Sequence, residues 1–435
     1  MSPPVASTSY LPPPQAALLS GHPAAQGSSL PAAAAILQQA GLVAFPTETV
    51  YGLGASALSE EAVRAIFTAK GRPRDNPLIV HVSSRRMLEA MLPGQGRTIP
   101  RLYEPLMGRF WPGPLTLVFP LAVPDGVAPA EKAVAPSVLA GHQSLAVRWP
   151  KHPLSLQLIT TANLPLAAPS ANLSSRPSPT TAAHVVADLG TGRGVGAILD
   201  GGACEVGLES TVVDWVPPCE GEEGEGVVRV LRAGGVGPEE LEECLAEAGY
   251  AGGVQVWGRD FKSAELADKP TTPGMKYKHY APTNAKVLLV QATTPGGDPT
   301  ASPPTLADLI ATLPATAPSQ PNKVGLMLST ETLARLDPAA VAPTTLPLQS
   351  SPFMLQTAAG AVELASFPLG RLSHPAEAAA RLFAGLRHFD EMAGVEWVLV
   401  EVVEEAGVGI AVMERARKSA GGVARGEVSE FKIDY

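Results

Sequence analysis

Gly41-Leu-Val-Ala-Phe-Pro-Thr-Glu-Thr-Val-Tyr-Gly-Leu-Gly54 holds the change of pattern that decides the fold. Its apolar opening, Gly41 to Phe45, reads as a strand, and the Ala/Leu run from Leu30 to Ala40 before it reads as a helix. Thr47, Glu48, Thr49 and Tyr51 then crowd polar groups onto the strand end. A plain turn would need only the glycines, whereas these groups could hydrogen-bond a polar ligand. Gly52-Leu-Gly54 is a weak dinucleotide fingerprint, because the third position is Ala57 and no acidic residue is well placed about 20 residues on.

Working outward, a helix is expected over Ser59–Ala69, with Ser59 as cap and Ala62, Ile66 and Phe67 as its apolar stripe. Strands are expected at Pro77–Val82, Leu115–Leu121, Leu145–Trp149, Leu166–Ala168, Ala197–Leu199, Thr211–Trp215 and Val227–Leu231. This mixture predicts an α/β domain with a substantial sheet. A second α/β pattern starts at Lys286-Val-Leu-Leu-Val290 and continues through the strand Val324–Leu328, a helix over Ala376–Met392 and the strand Val395–Val402. It predicts a small Rossmann-like unit. The expected organisation is a disordered tail over 1–29, a catalytic domain over 30–262, a linker or lid over 263–285 and a small domain over 286–435. Pro/Thr/Ala-rich insertions near 292–321 and 337–352 are expected to be disordered.

Composition narrows the function. The chain has 435 residues, 45% hydrophobic and 17% charged, which is globular usage. A net charge of −9 disfavours a protein whose main work is gripping nucleic acid, although basic residues gather between Arg64 and Arg109. Cys204, Cys219 and Cys244 form no CxxC pair, so no disulfide framework or zinc site follows. No apolar run approaches the ~18 residues of a membrane span. The first 40 residues contain no Lys or Arg, so neither a secretory nor a mitochondrial leader is supported, and the expected location is the cytoplasm.

Two further motifs carry chemistry. Lys70-Gly-Arg-Pro-Arg-Asp-Asn-Pro-Leu-Ile-Val-His81 places Lys70, Arg72 and Arg74 at a helix end, in a loop stiffened by Pro73 and Pro77 with Asn76 between them. Cations there could merely cap the helix. A rigid basic loop entering a buried strand is also how anion-holding arginines are kept in place. Leu166-Ala-Ala-Pro-Ser-Ala-Asn-Leu-Ser-Ser-Arg-Pro-Ser178 offers Ser170, Asn172, Ser174 and Ser178 between Pro169 and Pro177. Arg148, Ser210 with Thr211, and Arg232 stand at further strand ends. There is no Walker loop, no G-x-S-x-G elbow and no H-E-x-x-H. A site poor in nucleophiles and rich in cations and hydroxyls favours phosphoryl or nucleotidyl transfer, which needs mainly positioning and charge stabilisation.

PTETVYGLG, KGRPRDNPLIVHV, FWPGPLTLVF, LAVRWP, APSANLSS and ESTVVD occur here in the order found in the YrdC domain. With TPGMKYKHYAP as linker, the chain resembles the long, two-domain threonylcarbamoyl-AMP synthases. The resemblance implies a YrdC-like α/β domain with a large twisted mixed sheet and a concave basic face, followed by a smaller Rossmann-like domain. It implies formation of threonylcarbamoyl-AMP and pyrophosphate from L-threonine, bicarbonate and ATP. The product would pass to a tRNA threonylcarbamoyl transferase complex, with no stable nucleic-acid complex and no membrane partner. Thr49, His81, Arg148, Ala168 and Ser210 fall where the family binds threonine, Ala168 offering only its backbone. Lys70, Arg72, Asn76, Ser144, Ser170, Asn172, Ser178 and Arg232 fall on the nucleotide site, with Tyr277, near Lys276 and His279, as its lid. Lys70 and Arg72 would be the catalytic cations, and Mg2+ would come with ATP rather than in a protein-held site. A non-catalytic RNA-binding module and a hydrogenase-maturation carbamoyltransferase are the alternatives. The acidic total argues against the first, and three scattered cysteines against the zinc fingers of the second.

Overall fold

The computed structural model describes residues 17–20, 26–92, 99–121, 134–218, 226–264, 266, 271, 280–293, 304–314, 323–336, 352–358, 360–421 and 429–432. In chain order the first strands are β1 (Ala17–Ser20), β2 (Leu42–Phe45), β3 (Gly52–Ser56), β4 (Val80–His81), β5 (Leu115–Pro120) and β6 (Ser144–Arg148). They are followed by β7 (Leu166–Ala167), β8 (Val195–Asp200), β9 (Thr211–Val216), β10 (Val227–Arg232) and β11 (Val254–Val256). Among the described residues these form one mixed sheet, β1-β8-β2-β3-β7-β4-β6-β5-β9-β10-β11.

The opening stretch is a tight antiparallel pair in which Val43 faces Gly54 and Phe45 faces Gly52. Gly52–Gly54, a weak dinucleotide fingerprint in the sequence, is strand. Its glycines make room for an aromatic ring: a Cβ on Gly54 would lie 2.6 Å from Phe45 Cε1.

Register does the rest. His81 pairs with Arg148, Arg148 with Thr116, Thr116 with Val212, and Val212 with Arg232. Directly paired residues share a face, so at ~4.8 Å per strand this row runs roughly 19 Å across the sheet. The alternate residues Val80, Val147, Leu117 and Val213 turn the other way into the largest apolar core. That core is closed in part by the helix Glu60–Lys70, which buries Ala62, Val63, Ile66 and Phe67. Ser59 caps its start by accepting from Ala62 N–H, and Gly71 stops it in the left-handed region at φ 62°. That stop leaves Lys70 buried at the helix end.

The second sheet contains β12 (Lys286–Thr293), β13 (Lys323–Met327), β14 (Phe353–Thr357), β15 (Gly360–Ser366), β16 (Val395–Glu401) and β17 (Ser429–Lys432). Its order is β14-β15-β13-β16-β12-β17, parallel except for the β14–β15 hairpin. Helices Pro375–Glu391 and Val408–Ser419 dock this unit on the first. One buried cluster joins Val50, Leu208 and Ala233 to Leu382, Phe383 and Met413. Gly207 lies so close that a Cβ there would meet Ala380 Cα at 2.5 Å. No helix among the described residues is long and apolar enough to cross a membrane.

Three expectations need correction. The stretch 1–29 is not all tail, because β1 pairs parallel with β8 and the first helix already begins at Gln26. The 292–321 insertion contains the helix Leu306–Ala311, started by a Thr305/Asp308 capping box and held by buried Leu306, Leu309 and Ile310. The Pro77–Val82 strand shrinks to Val80–His81. Most of the 337–352 insertion lies outside the described residues.

Candidate active site

Three members of the in-register row, His81, Arg148 and Arg232, line one concave hollow. At one end stands Arg148, buried at the close of β6. Its Nη2 donates to Glu48 Oε1 at 2.6 Å, its Nη1 to Thr49 Oγ1 at 2.7 Å and its Nε to the Gly113 carbonyl at 3.2 Å. Lys151 N–H donates to the other Glu48 oxygen at 3.0 Å. Burial alone would raise the Glu48 pKa, but the Arg148 charge and hydrogen bond outweigh it and hold the carboxyl below its usual range. The Thr47 hydroxyl accepts from Thr49 and Val50 N–H and donates to the Val50 carbonyl, closing the turn that presents Thr49. His81 is buried alongside, and desolvation together with the Arg148 charge pushes its pKa down to about 3, so it is a neutral imidazole near pH 7.

The other end is built by loops. Lys70 Nζ donates to the Ser170 carbonyl at 2.5 Å, the Asn172 carbonyl at 2.6 Å and Asn172 Oδ1 at 3.3 Å. It therefore ties the 170–172 loop instead of capping its own helix. Burial, then the charge of Arg72, pushes the Lys70 pKa well down. Asn172 Nδ2 donates to the Leu173 and Arg176 carbonyls at 2.8 Å each, which curls the loop. Arg72 Nη2 reaches the Pro77 carbonyl at 3.4 Å. Arg232, at the end of β10, donates to the Ser210 carbonyl through Nε (3.1 Å) and Nη2 (2.9 Å), and Ser210 Oγ meets Thr116 Oγ1 at 2.8 Å. Ser178 Oγ donates to Glu209 Oε1 at 2.6 Å.

Eleven of the residues that the resemblance assigned to the threonine and nucleotide sites line this hollow: Thr49, Lys70, Arg72, His81, Arg148, Ala168, Ser170, Asn172, Ser178, Ser210 and Arg232. Asn76 does not line it; it is buried, and its Oδ1 has no hydrogen-bond partner among the described residues. Ser144 is also absent from the lining. It starts the strand that Arg148 ends, so four residues of rise, ~13 Å, separate them. Tyr277, Lys276 and His279 lie outside the described residues. The linker tyrosine seen in the lining is Tyr280, whose ring packs on Phe383 at 4.9 Å.

The sequence reading missed Glu48 as the partner of Arg148, and missed Glu209 and Tyr280 in the lining. Each sat inside a quoted motif, but its pairing depends on tertiary contact. Lys70, Arg72 and Arg232 face the hollow at the loop end, while the Glu209 charge is met by Arg415 at 3.1 Å. The balance is cationic, as a polyanion requires.

A family model described as telomere recombination matches residues 35–234, and one described as the C-terminal domain of threonylcarbamoyl-AMP synthase matches 236–421. The chain is 40% identical to a threonylcarbamoyl-AMP synthase of Schizosaccharomyces pombe, over 93% of this chain and 91% of that one. Its identity to the Pyrococcus abyssi protein of the same name is 39%, over 89% and 93% respectively. The crystal structure of P. abyssi Sua5 complexed with L-threonine superposes with a TM-score of 0.69 at 35% identity, covering 96% of this chain and 99% of that one.

Proposed function

The chain belongs to the threonylcarbamoyl-AMP synthase family, and from that premise we propose that the hollow is its active site, with threonine at the Arg148 end and ATP at the loop end. The enzyme is a nucleotidyltransferase that makes L-threonylcarbamoyladenylate. Relatives of that name along about nine-tenths of the chain favour this activity over the RNA-binding and carbamoyltransferase alternatives. One observation supports the placement above all. A single row across the sheet runs from His81 and Arg148, with Thr49 beside them, to Arg232, and Lys70 and Arg72 line the same hollow.

On this reading Arg148 and Thr49 receive the threonine carboxylate. Neutral His81, Ser210 and the Ala168 backbone surround the rest of the amino acid. The amine takes up CO2, supplied by bicarbonate with loss of water, and becomes a carbamate. A carbamate oxygen attacks the α-phosphorus of ATP, the bond to the β-phosphate oxygen breaks, and pyrophosphate leaves. Lys70, Arg72 and Arg232 would neutralise charge on the phosphates, with Ser170, Asn172 and Ser178 supplying polar contacts. Glu209 is the one carboxylate among the described lining residues, and its oxygens are taken by Ser178 and Arg415. A magnesium ion would therefore ride on the triphosphate itself, adding to the neutralisation of its charge. Tyr280, with Tyr277 as the proposed lid, would shield the easily hydrolysed carbamate and mixed anhydride. The released adenylate would feed a tRNA threonylcarbamoyl transferase complex.

Purified protein is expected to release pyrophosphate from ATP only when threonine and bicarbonate are both supplied. Equal release without threonine would defeat the assignment.

A further inference from the structure

We propose that Arg415, contributed by the second α/β unit, is a positioning residue of the nucleotide end: through Glu209 it orients the Ser178 hydroxyl and cancels a carboxylate that would otherwise face the phosphates. This rests on the placement of ATP given above and deepens it.

Arg415 lies on the helix Val408–Ser419 and is buried away from solvent. It is absent from the lining of the hollow, whereas Glu209, Ser178 and Arg232 all belong to it. Its Nε donates to Glu209 Oε2 at 3.1 Å, and the other Glu209 oxygen accepts the Ser178 hydroxyl at 2.6 Å. Its Nη1 donates to the carbonyl of Ala233, the residue after Arg232, at 2.6 Å. One guanidinium thus fixes a carboxylate and a strand end in the same wall. Burial would raise the Glu209 pKa, but the charges of Arg415 and then Arg232 bring it to about 2, so the group is a carboxylate at working pH.

A buried ion pair between two units could be simple glue, and the molecule contains one for comparison. Arg387, equally buried, donates to Asp188 Oδ2 at 2.7 Å and to the Pro177 carbonyl at 2.6 Å, and Asp188 does not line the hollow. The Arg415 pair differs because its acid does line it. An acid in an anion site is tolerable only while its charge is cancelled and its oxygens are occupied.

The test measures KM for ATP and for threonine, and ATP affinity by titration, in the full-length chain. The variants are Arg415→Met, Arg415→Lys, Glu209→Gln and the double variant Glu209→Gln/Arg415→Met. Arg415→Met is expected to raise KM for ATP by about tenfold or more while KM for threonine moves less than about threefold. Removing both charges returns the ATP value to within about threefold of wild type, since a buried pair replaced as a unit costs far less than one partner removed. Arg415→Lys, which keeps the charge, falls between wild type and Arg415→Met. If Arg415→Met does not fold but the double variant folds and binds ATP, charge cancellation is supported. A double variant as impaired as Arg415→Met, or a loss spread equally over ATP and threonine, overturns the proposal. A wild-type protein that turns over ATP without threonine would sink the underlying reading instead, while the titration still reports whether Arg415 governs nucleotide affinity.

Discussion

The two ends of the hollow are held by different means. At the Arg148 end the side chains of Arg148, Glu48 and Thr49 are held within residues 47–151, by Arg148 on Glu48, Thr49 and Gly113, Lys151 on Glu48, and Thr47 on its own turn, while Ser210 accepts from Arg232 of the same unit. At the loop end Ser178 and Glu209 depend on Arg415, and the Pro177 carbonyl and Asp188 depend on Arg387, each partner lying about 200 residues away in sequence. The amino-acid end is thus a construction within one sheet domain. The polyanion end draws on both units: Lys70, Arg72 and Arg232 are held within the first, while the Glu209–Ser178 pair and the Pro177 carbonyl are reached from the second. Affinity for threonine should therefore survive disturbances of docking that weaken affinity for ATP.

The strongest way to break that contrast is Arg148→Met. It strands the Glu48 carboxylate in a buried site, which costs about 3–5 kcal/mol of stability and should lower kcat/KM for threonine by roughly 100-fold or more. Steady-state kinetics with each substrate varied should show a much smaller change in KM for ATP. Next, Lys70→Ala and Arg72→Ala should weaken ATP binding by ~10-fold or more, since charge-assisted contacts are each worth ~1.5–3 kcal/mol. Lys70→Ala should be the worse of the two, because it also releases the Ser170 and Asn172 carbonyls. Nucleotide titration checks both. Gly207→Ala is a gentler probe. The residue sits at φ 73°, and the new Cβ would press on the Ala380 backbone at 2.5 Å. It should cost ~1–3 kcal/mol of stability and raise KM for ATP a few-fold while sparing threonine.

The smallest effect concerns pH. Burial keeps the His81 pKa at about 3, against an ordinary imidazole near 6.5. Between those values the unfolded chain binds a proton that the folded chain does not. Stability is therefore full above about pH 6.5 and falls as pH drops towards 3, by up to ~1.4 kcal/mol per pH unit from this group. Urea unfolding at several pH values should show a shallower decline in His81→Asn than in wild type.

Much of this site could be read one motif at a time. Arg148, Ser210 and Arg232 each stand beside a short apolar run, and a charged or hydroxyl residue at a strand end is visible without knowing its neighbours. The register that lines them up is not visible, because it depends on which strands pair. Ser144 shows the cost of that blindness: it shares a motif with Arg148 but sits at the other end of β6. Glycine is poor in strands, so Gly52 and Gly54 carry no strand signal, and the Phe45 ring packed against them accounts for their presence in β3. Arg387 and Arg415 look like the solvated face of amphipathic helices until the helices dock. By contrast, the Thr305/Asp308 capping box was present in the sequence and marked a helix inside a stretch whose composition suggested disorder.

A crystal structure with L-threonine and a non-hydrolysable ATP analogue bound together would test the central claim most directly. The account predicts the amino-acid carboxylate on Arg148 and Thr49, and the phosphates among Lys70, Arg72, Arg232 and the Ser170–Ser178 loop. Phosphates seated on Arg148, or the two ligands in separate cavities, would contradict it.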